Sequence, residues 1–356
     1  MEDDLVEQIG TSGPDDLRGT ENRDRLAGLA GDDILFGFGA GDALQGDLGA
    51  DTLHGGDGDD TLTGGGDGDV LFGGAGGDDI EGGDGDDALF GGENSDVLKG
   101  GAGDDQLHGG QDLNLLYGGA GNDVLNLQGD GGGLASGGLG GDTLFGGLGQ
   151  DLLEGGVGAD RIVGRQGDDE ISGDAGRDTL KGGGGDDRIF GGGGNDNIKG
   201  NRGADEMLGG GGKDNMKGGG QGDQIDGGGG NDTVNGQNGD DSVSGGEGRD
   251  VVRGGAGNDI LFGNGGADQI FGDAGDDTLS GGAGDDVFNF RLGSGRDTIS
   301  DYKDGEDLIR IQTGARSFDD LEITDADDDV LITFANVEIL ILDERKGRLD
   351  EDDFIF

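Results

Sequence analysis

Aspartate returns every ninth residue along most of this 356-residue chain. The series runs Asp15, Asp24, Asp33, Asp42, Asp51, Asp60, Asp69, Asp78, Asp87, Asp96, Asp105 and Asp123. It resumes one residue out of phase as Asp142, Asp151, Asp160, Asp169, Asp178, Asp187, Asp196, Asp205, Asp214, Asp223, Asp232, Asp241, Asp250, Asp259, Asp268, Asp277 and Asp286. Each is the sixth residue of a block reading G-G-x-G-x-D-x-U-x, with U a large aliphatic. Gly28-Leu29-Ala30-Gly31-Asp32-Asp33-Ile34-Leu35-Phe36 is one such block and Gly254-Gly255-Ala256-Gly257-Asn258-Asp259-Ile260-Leu261-Phe262 another. Asp fills the sixth place in 29 of 31 blocks, the exceptions being Asn114 and Gly133, so the pattern belongs to residue order and not to composition. Carboxylates at a fixed period, set in glycine turns that free backbone carbonyls, make an all-oxygen donor set. Calcium takes six or more such oxygens, and the 29 aspartates are its candidate ligands.

Little else here could do chemistry. The chain has no Cys, hence no thiolate nucleophile, disulfide or Cys-ligated zinc. His54 and His108 lie 54 residues apart, three coils or about 14 Å if the repeats stack as strands do, and cannot share a metal ion. No H-E-x-x-H, G-x-S-x-G or G-x-x-x-x-G-K-[ST] string occurs. No catalytic constellation is expected, and the chain reads as a non-enzyme.

The period also dictates the elements. Each block divides into a six-residue turn and a three-residue x-U-x strand, in which U points inward and its neighbours outward. Two nine-residue half-turns make one coil. The fold class is therefore all-β: a parallel β-roll, or β-helix solenoid, with a C-terminal β cap. Coils stacked about 4.8 Å apart place Asp33 over Asp51 and Asp51 over Asp69. At an effective dielectric near 20, two unit charges at that distance repel by about 3.5 kcal/mol. A divalent cation between successive Asp side chains removes the penalty. One buried aliphatic per nine residues cannot offset the entropy of ordering them, so metal binding and folding should be coupled.

The phase divides the chain into a short lead at 1–9, a first array at 10–126, a register break at 127–136, a second array at 137–289 and a cap at 290–356. Thirteen and seventeen blocks allow eleven and fifteen stacked pairs, a ceiling of about 26 calcium ions. Their charge would nearly cancel the formal −56. Fewer ions and a bend or loop are expected over 112–136, where Asn114 and Gly133 offer no carboxylate, separating the two arrays.

Composition closes other routes. With 29 % hydrophobic residues and no Trp, a conventional layered core cannot be built along most of the chain, and one Pro excludes collagen. The net charge repels nucleic acid and anionic membranes. No apolar run reaches the roughly 18 residues of a transmembrane segment. Met1-Glu2-Asp3-Asp4-Leu5-Val6 lacks the basic and apolar regions of a Sec signal peptide.

On these blocks the chain resembles the RTX (repeats-in-toxin, haemolysin-type) calcium-binding proteins. After the repeats, Gly293-Ser294-Gly295-Arg296-Asp297-Thr298-Ile299 resembles the region that follows the array in serralysin-like members. The terminal Asp353-Phe354-Ile355-Phe356 resembles their uncleaved type I secretion signal, an acidic residue followed by hydrophobic ones. The resemblance implies a secreted, extracellular protein that folds on binding many calcium ions, uses type I secretion machinery, and has a structural or adhesive role on a cell surface or extracellular polysaccharide. Members of the family usually carry a protease, lipase or pore-forming domain ahead of the repeats; only about nine residues precede Gly10 here. An alternative is therefore the C-terminal part of a larger secreted enzyme (protease, lipase or epimerase).

Two outward columns carry further readings. Phe36, His54, Phe72, Phe90 and His108 recur every 18 residues, as an interface or as a stack that stiffens the sheet. Lys181, Lys199 and Lys217, continued by Arg253, form a basic column. It either softens the surrounding negative potential or binds a polyanionic polysaccharide, as in the similar repeat modules of alginate epimerases. In the cap, Thr298–Ser300, Asp307–Ile311, Val330–Phe334 and Val337–Leu342 read as strands.

Overall fold

A computed structural model describes residues 5–356. Met1 to Asp4, part of the segment read as unlike a Sec signal peptide, lie outside the described residues. The described residues form 38 β-strands and two single turns of 3-10 helix, and the chain divides into two compact units, Met1–Thr179 and Leu180–Phe356.

In the first unit the nine-residue period becomes two parallel sheets facing one another. Ile34 pairs with Thr52, Thr52 with Val70 and Val70 with Ala88 in one sheet. Ala43 pairs with Thr61 and Thr61 with Asp79 in the other. Every step is one 18-residue coil. The U side chains meet between the sheets: Leu35, Leu53, Leu71 and Leu89 from one and Leu62, Ile80 and Leu98 from the other are fully buried. The core is a file of single aliphatics, one layer per coil, as the low hydrophobic content requires.

The strands are longer than the three residues that the sequence predicts. Most run six residues, as in Ile34–Gly39 and Ala43–Leu48. Pairing continues through the glycines, with Phe38 beside Gly56 and Gly56 beside Gly74. Gly56 has a φ of 120°, and a Cβ there would strike the Phe38 carbonyl, so close approach of successive turns requires glycine. The lead also joins the roll: Val6–Ile9 is a strand paired with Asp24–Ala30, and Gln8 takes the place of a U residue over Leu26.

The expected separation of two arrays at the register break is corrected by the pairing. Leu115 pairs with Leu134, and Val124 with Thr143, so the sheets run through it. The extra residue is taken up in the turn over 127–133. There the Gly129 N–H donates to the Leu127 carbonyl at 2.9 Å, and Gln128 adopts a φ of 64°.

The second unit repeats the plan with Ile, Val, Met and Leu as U, from Ile189 through Met207, Met216, Val234 and Val252 to Leu279. Beyond Phe288 the pattern changes. Arg296–Ile299 and Leu308–Ile311 extend the two sheets, pairing with Thr278–Ala283 and Val287–Phe290. Val337–Ile341 pairs in parallel with Arg296–Ile299, and Asp329–Phe334 turns antiparallel onto it. A further strand, Glu322–Ala326, escaped the sequence reading; its burial is slight, so it shows no alternation. Val330, Ile332, Ile339 and Ile341 fill this end as a small conventional core.

Candidate metal-binding turns

Each turn delivers its aspartate to the roll edge, because D-x-U fixes the Asp two residues before an inward aliphatic. The two half-turns of a coil give two edges. In the first unit one edge carries Asp33, Asp51, Asp69, Asp87 and Asp105, and the other Asp42, Asp60, Asp78 and Asp96. From Asp24 to Asp286 every member of the series is at most 3 % exposed; Asp15, on the first coil, is half-buried.

The carboxylates do not simply face one another. The main-chain N–H of Asp33 donates to Oδ1 of Asp51 at 2.7 Å, that of Asp51 to Asp69 at 2.7 Å, and that of Asp87 to Asp105 at 2.8 Å. The second unit repeats this from Asp205 to Asp223 and Asp223 to Asp241, 2.9 and 2.8 Å. One oxygen of each carboxylate is thereby satisfied by the previous coil, which offsets part of the repulsion inferred from stacking alone. The sequence reading missed this donor because every residue type but proline offers it.

The other oxygen is not satisfied. Oδ2 of Asp33, Asp51, Asp69, Asp87 and Asp105, and of Asp42, Asp60, Asp78 and Asp96, is buried and meets no donor; the same holds for Asp205, Asp223, Asp214 and Asp232. A buried carboxylate oxygen without a partner is costly, and its repetition coil after coil calls for a common ligand. A Cβ on Gly46 would collide with both Asp51 Oδ2 and the Gly64 carbonyl of the next coil. That turn therefore brings a carboxylate oxygen and a neighbouring coil's carbonyl oxygen together over a glycine, and Gly64 and Gly73 repeat it with Asp69 and Asp78. This donor set fits a hard divalent cation. Among the described residues no three His, Cys, Asp or Glu side chains cluster: a turn of the Asp series brings one such carboxylate, the turns ending at Asn114 and Gly133 bring none, and further oxygens for a cation would have to be backbone carbonyls.

Electrostatics point the same way. Burial pushes the carboxyls of Asp60, Asp69, Asp96 and Asp105 up to about 7, with neighbouring Asp charges adding to the rise and the preceding coil's N–H opposing it. Burial likewise lifts Asp51 and Asp87 to about 6 and, in the second unit, Asp223 and Asp259 to about 7. Positive charge beside these groups would relieve that penalty.

Two residues beyond the repeat continue the edges. The Asp277 N–H donates to Asp297 Oδ1 at 3.1 Å, and that of Asp286 to Asp307 Oδ1 at 3.0 Å. Spacings of 20 and 21 hid them, although Asp297-Thr298-Ile299 and Asp307-Leu308-Ile309 keep the D-x-U form. A reverse ladder was also missed. Asp86 accepts from the Asp104 N–H at 2.8 Å, Asp104 from Asn122 at 2.7 Å and Asn122 from Gly141 at 2.8 Å. These residues precede the aspartates of the series and clamp each turn to the preceding coil.

The outward columns form as spaced. Phe36, His54, Phe72, Phe90 and His108 stack with centroids 4.7–5.1 Å apart and ring planes within 11°. Arg18 lies over the Phe36 ring at 4.9 Å. Ring faces are turned to one another and only edges face outward. In the second unit Lys199 pairs with Lys217, and Asn235 and Arg253 follow.

The tail packs into the cap. Asp353 and Phe354 are buried, Ile309 and Arg310 pair with Phe354 and Ile355, and the Tyr302 hydroxyl lies 3.0 Å from Asp353 Oδ1.

The family model for the RTX calcium-binding nonapeptide repeat matches in overlapping copies over residues 9–125 and 136–299. No curated protein matches the chain. Among solved structures, the extracellular lipase LipA from Serratia marcescens is similar at 17 % identity and a TM-score of 0.24, over 58 % of this chain. The chain spans 40 % of the length of that lipase.

Proposed function

The chain belongs to the RTX calcium-binding nonapeptide-repeat family, and on that premise we propose that it is a secreted protein whose two Asp edges hold calcium and whose folding is coupled to that binding at neutral pH. The observation that carries this reading is the file of buried Oδ2 atoms that meet no donor, as at Asp51, Asp69 and Asp78, where a carbonyl of the next coil stands over the same glycine. Calcium supplies the positive charge and the coordination that these oxygens lack. The Asp N–H groups set the carboxylate orientation, the glycines admit the ligand, and the single file of aliphatics seals the interior. Millimolar extracellular calcium matches the weak-affinity class of extracellular modules. The rigid roll then serves a structural or adhesive role outside the cell.

Export by a type I system fits the terminal Asp353-Phe354-Ile355-Phe356. Its packing against Tyr302 and Ile309 belongs to the folded state; a chain that has not yet met calcium would leave it free for recognition. The reading is of a binding module and not of an enzyme, and an enzyme partner domain would lie elsewhere.

A second reading draws support from the column Lys181, Lys199 and Lys217, which forms no ion pair among the described residues, on a face otherwise lined by Asn197, Asn215 and Asn235. A polyanionic polysaccharide laid along that column would meet cations at strand spacing. Lys199→Glu should abolish such binding in a glycan assay and leave calcium binding unchanged.

The decisive test of the first reading is far-UV circular dichroism across a calcium titration. A cooperative rise of β signal, reversed by EGTA, is expected. A β spectrum indifferent to EGTA overturns coupled folding.

A further inference from the structure

We propose that one edge of the first unit holds no calcium over three consecutive turns, those ending at Asn114, Gly133 and Asp151, while the opposite edge holds it through the same coils without a gap. This rests on the calcium reading above and adds to it where the ions are absent.

At each of the three turns the chain has used up the groups that would ligate. Asn114 is fully buried. Its Oδ1 accepts the Asp96 N–H at 2.9 Å, as an aspartate would, but its Nδ2 donates to the Gln111 carbonyl at 3.0 Å. A donor stands where the free carboxylate oxygen stands elsewhere, and it occupies a carbonyl of its own turn. The next turn on this edge ends at Gly133, which has no side chain. The carbonyl of Leu127 in that turn is engaged by the Gly129 N–H at 2.9 Å. One coil further on, Asp151 has both oxygens bonded: Oδ1 accepts from Gly133 at 2.8 Å and Oδ2 from Gly147 at 2.6 Å. The reason lies in the backbone. The counterparts Gly138 and Gly156 have φ of 109° and 102°, whereas Gly147 has no positive φ and turns its N–H inward.

The opposite edge of the same coils differs at every step. Asp105, Asp123, Asp142 and Asp160 each keep a buried Oδ2 that meets no donor. The contrast therefore cannot come from general disorder of the register break; it is confined to the side that carries the extra residue. Amide and backbone donors close three turns there by hydrogen bonding alone, and the ion count falls below the ceiling set by the repeat number.

Asp142 and Asp151 give a matched pair, nine residues apart. Bound calcium per chain is counted by plasma emission after equilibrium dialysis, for the full chain, Asp142→Asn and Asp151→Asn, with circular dichroism checking that each variant has folded. Asp142→Asn should lose at least one ion per chain and Asp151→Asn none. Equal losses in the two variants overturn the proposal and leave the calcium reading standing. A full chain that retains no calcium overturns the calcium reading and this inference with it. Should either variant fail to fold, anomalous scattering from crystals of the unaltered chain soaked in terbium gives the same decision. Peaks are expected at the turns of Asp123, Asp142 and Asp160, and a peak at the turn of Asp151 overturns the assignment.

Discussion

The main-chain N–H of Asp123 donates to Oδ1 of Asp142 at 2.8 Å across 19 residues, while the steps before and after it, Asp105 to Asp123 and Asp142 to Asp160, span 18 with the same geometry. One edge thus keeps its register through the slip because the other absorbs the added residue. The consequence is testable: deleting Gly131, which restores the 18-residue step, should leave calcium-dependent β structure intact. Loss of the folded signal in that deletion would show that the 127–133 turn is needed as built.

Acid should replace calcium in part. Asp60, Asp69, Asp96 and Asp105 have folded pKa values raised to about 7 from an ordinary 3.8. Between those values the folded chain binds protons that the unfolded chain has released, so stability falls as pH rises through that window. In EGTA, β structure should be stronger at pH 5 than at pH 8, and the calcium midpoint should move to higher concentration as pH falls below about 7. A flat pH profile in EGTA would contradict the buried-carboxylate account.

The single-file core makes each U residue costly to lose. Leu71 is fully buried in the middle of the first unit, and Leu71→Ala should destabilise by about 2–5 kcal/mol, raising the calcium midpoint without changing the ion count at saturation. A variant indistinguishable from the parent in a calcium titration would mean that ions alone hold the coils.

His54 is sandwiched between Phe36 and Phe72, with centroids 4.7 and 4.8 Å away, and burial lowers its pKa. Its folded form therefore resists protonation, and this contribution is lost as pH falls through the lowered value. NMR titration should find His54 below the ordinary 6.5, and His54→Phe should be neutral or stabilising by up to about 1 kcal/mol.

Removing Asp353 to Phe356 takes away one of the two partners of the Tyr302 hydroxyl, leaving the Asp307 carbonyl, and the last strand on Ile309, but no donor of the two edges from Asp24 to Asp286. The truncated chain should still fold with calcium, with a less stable cap, yet remain in cells that carry a matching type I exporter. Wild-type levels in the medium would reduce the tail to a cap element.

Sequence alone determined the roll, its inward aliphatics and the two files of aspartates, because a nine-residue phase allows one stacking and each D-x-U triplet fixes which side chain turns in. It also located the outer aromatic and basic columns, which follow from the same arithmetic. Three things had to wait for the tertiary structure. Asp297 and Asp307 join the edges at irregular spacing, since strand pairing and not residue count brings them there. The register break does not divide the roll, because one turn has room for an extra residue that a repeat count can only score as an error. And the turns able to take a cation are distinguished by which N–H points at Oδ2, as Gly147 does at Asp151. That depends on the sign of a backbone dihedral at a glycine, where the sequence permits both values and only the surrounding coils choose.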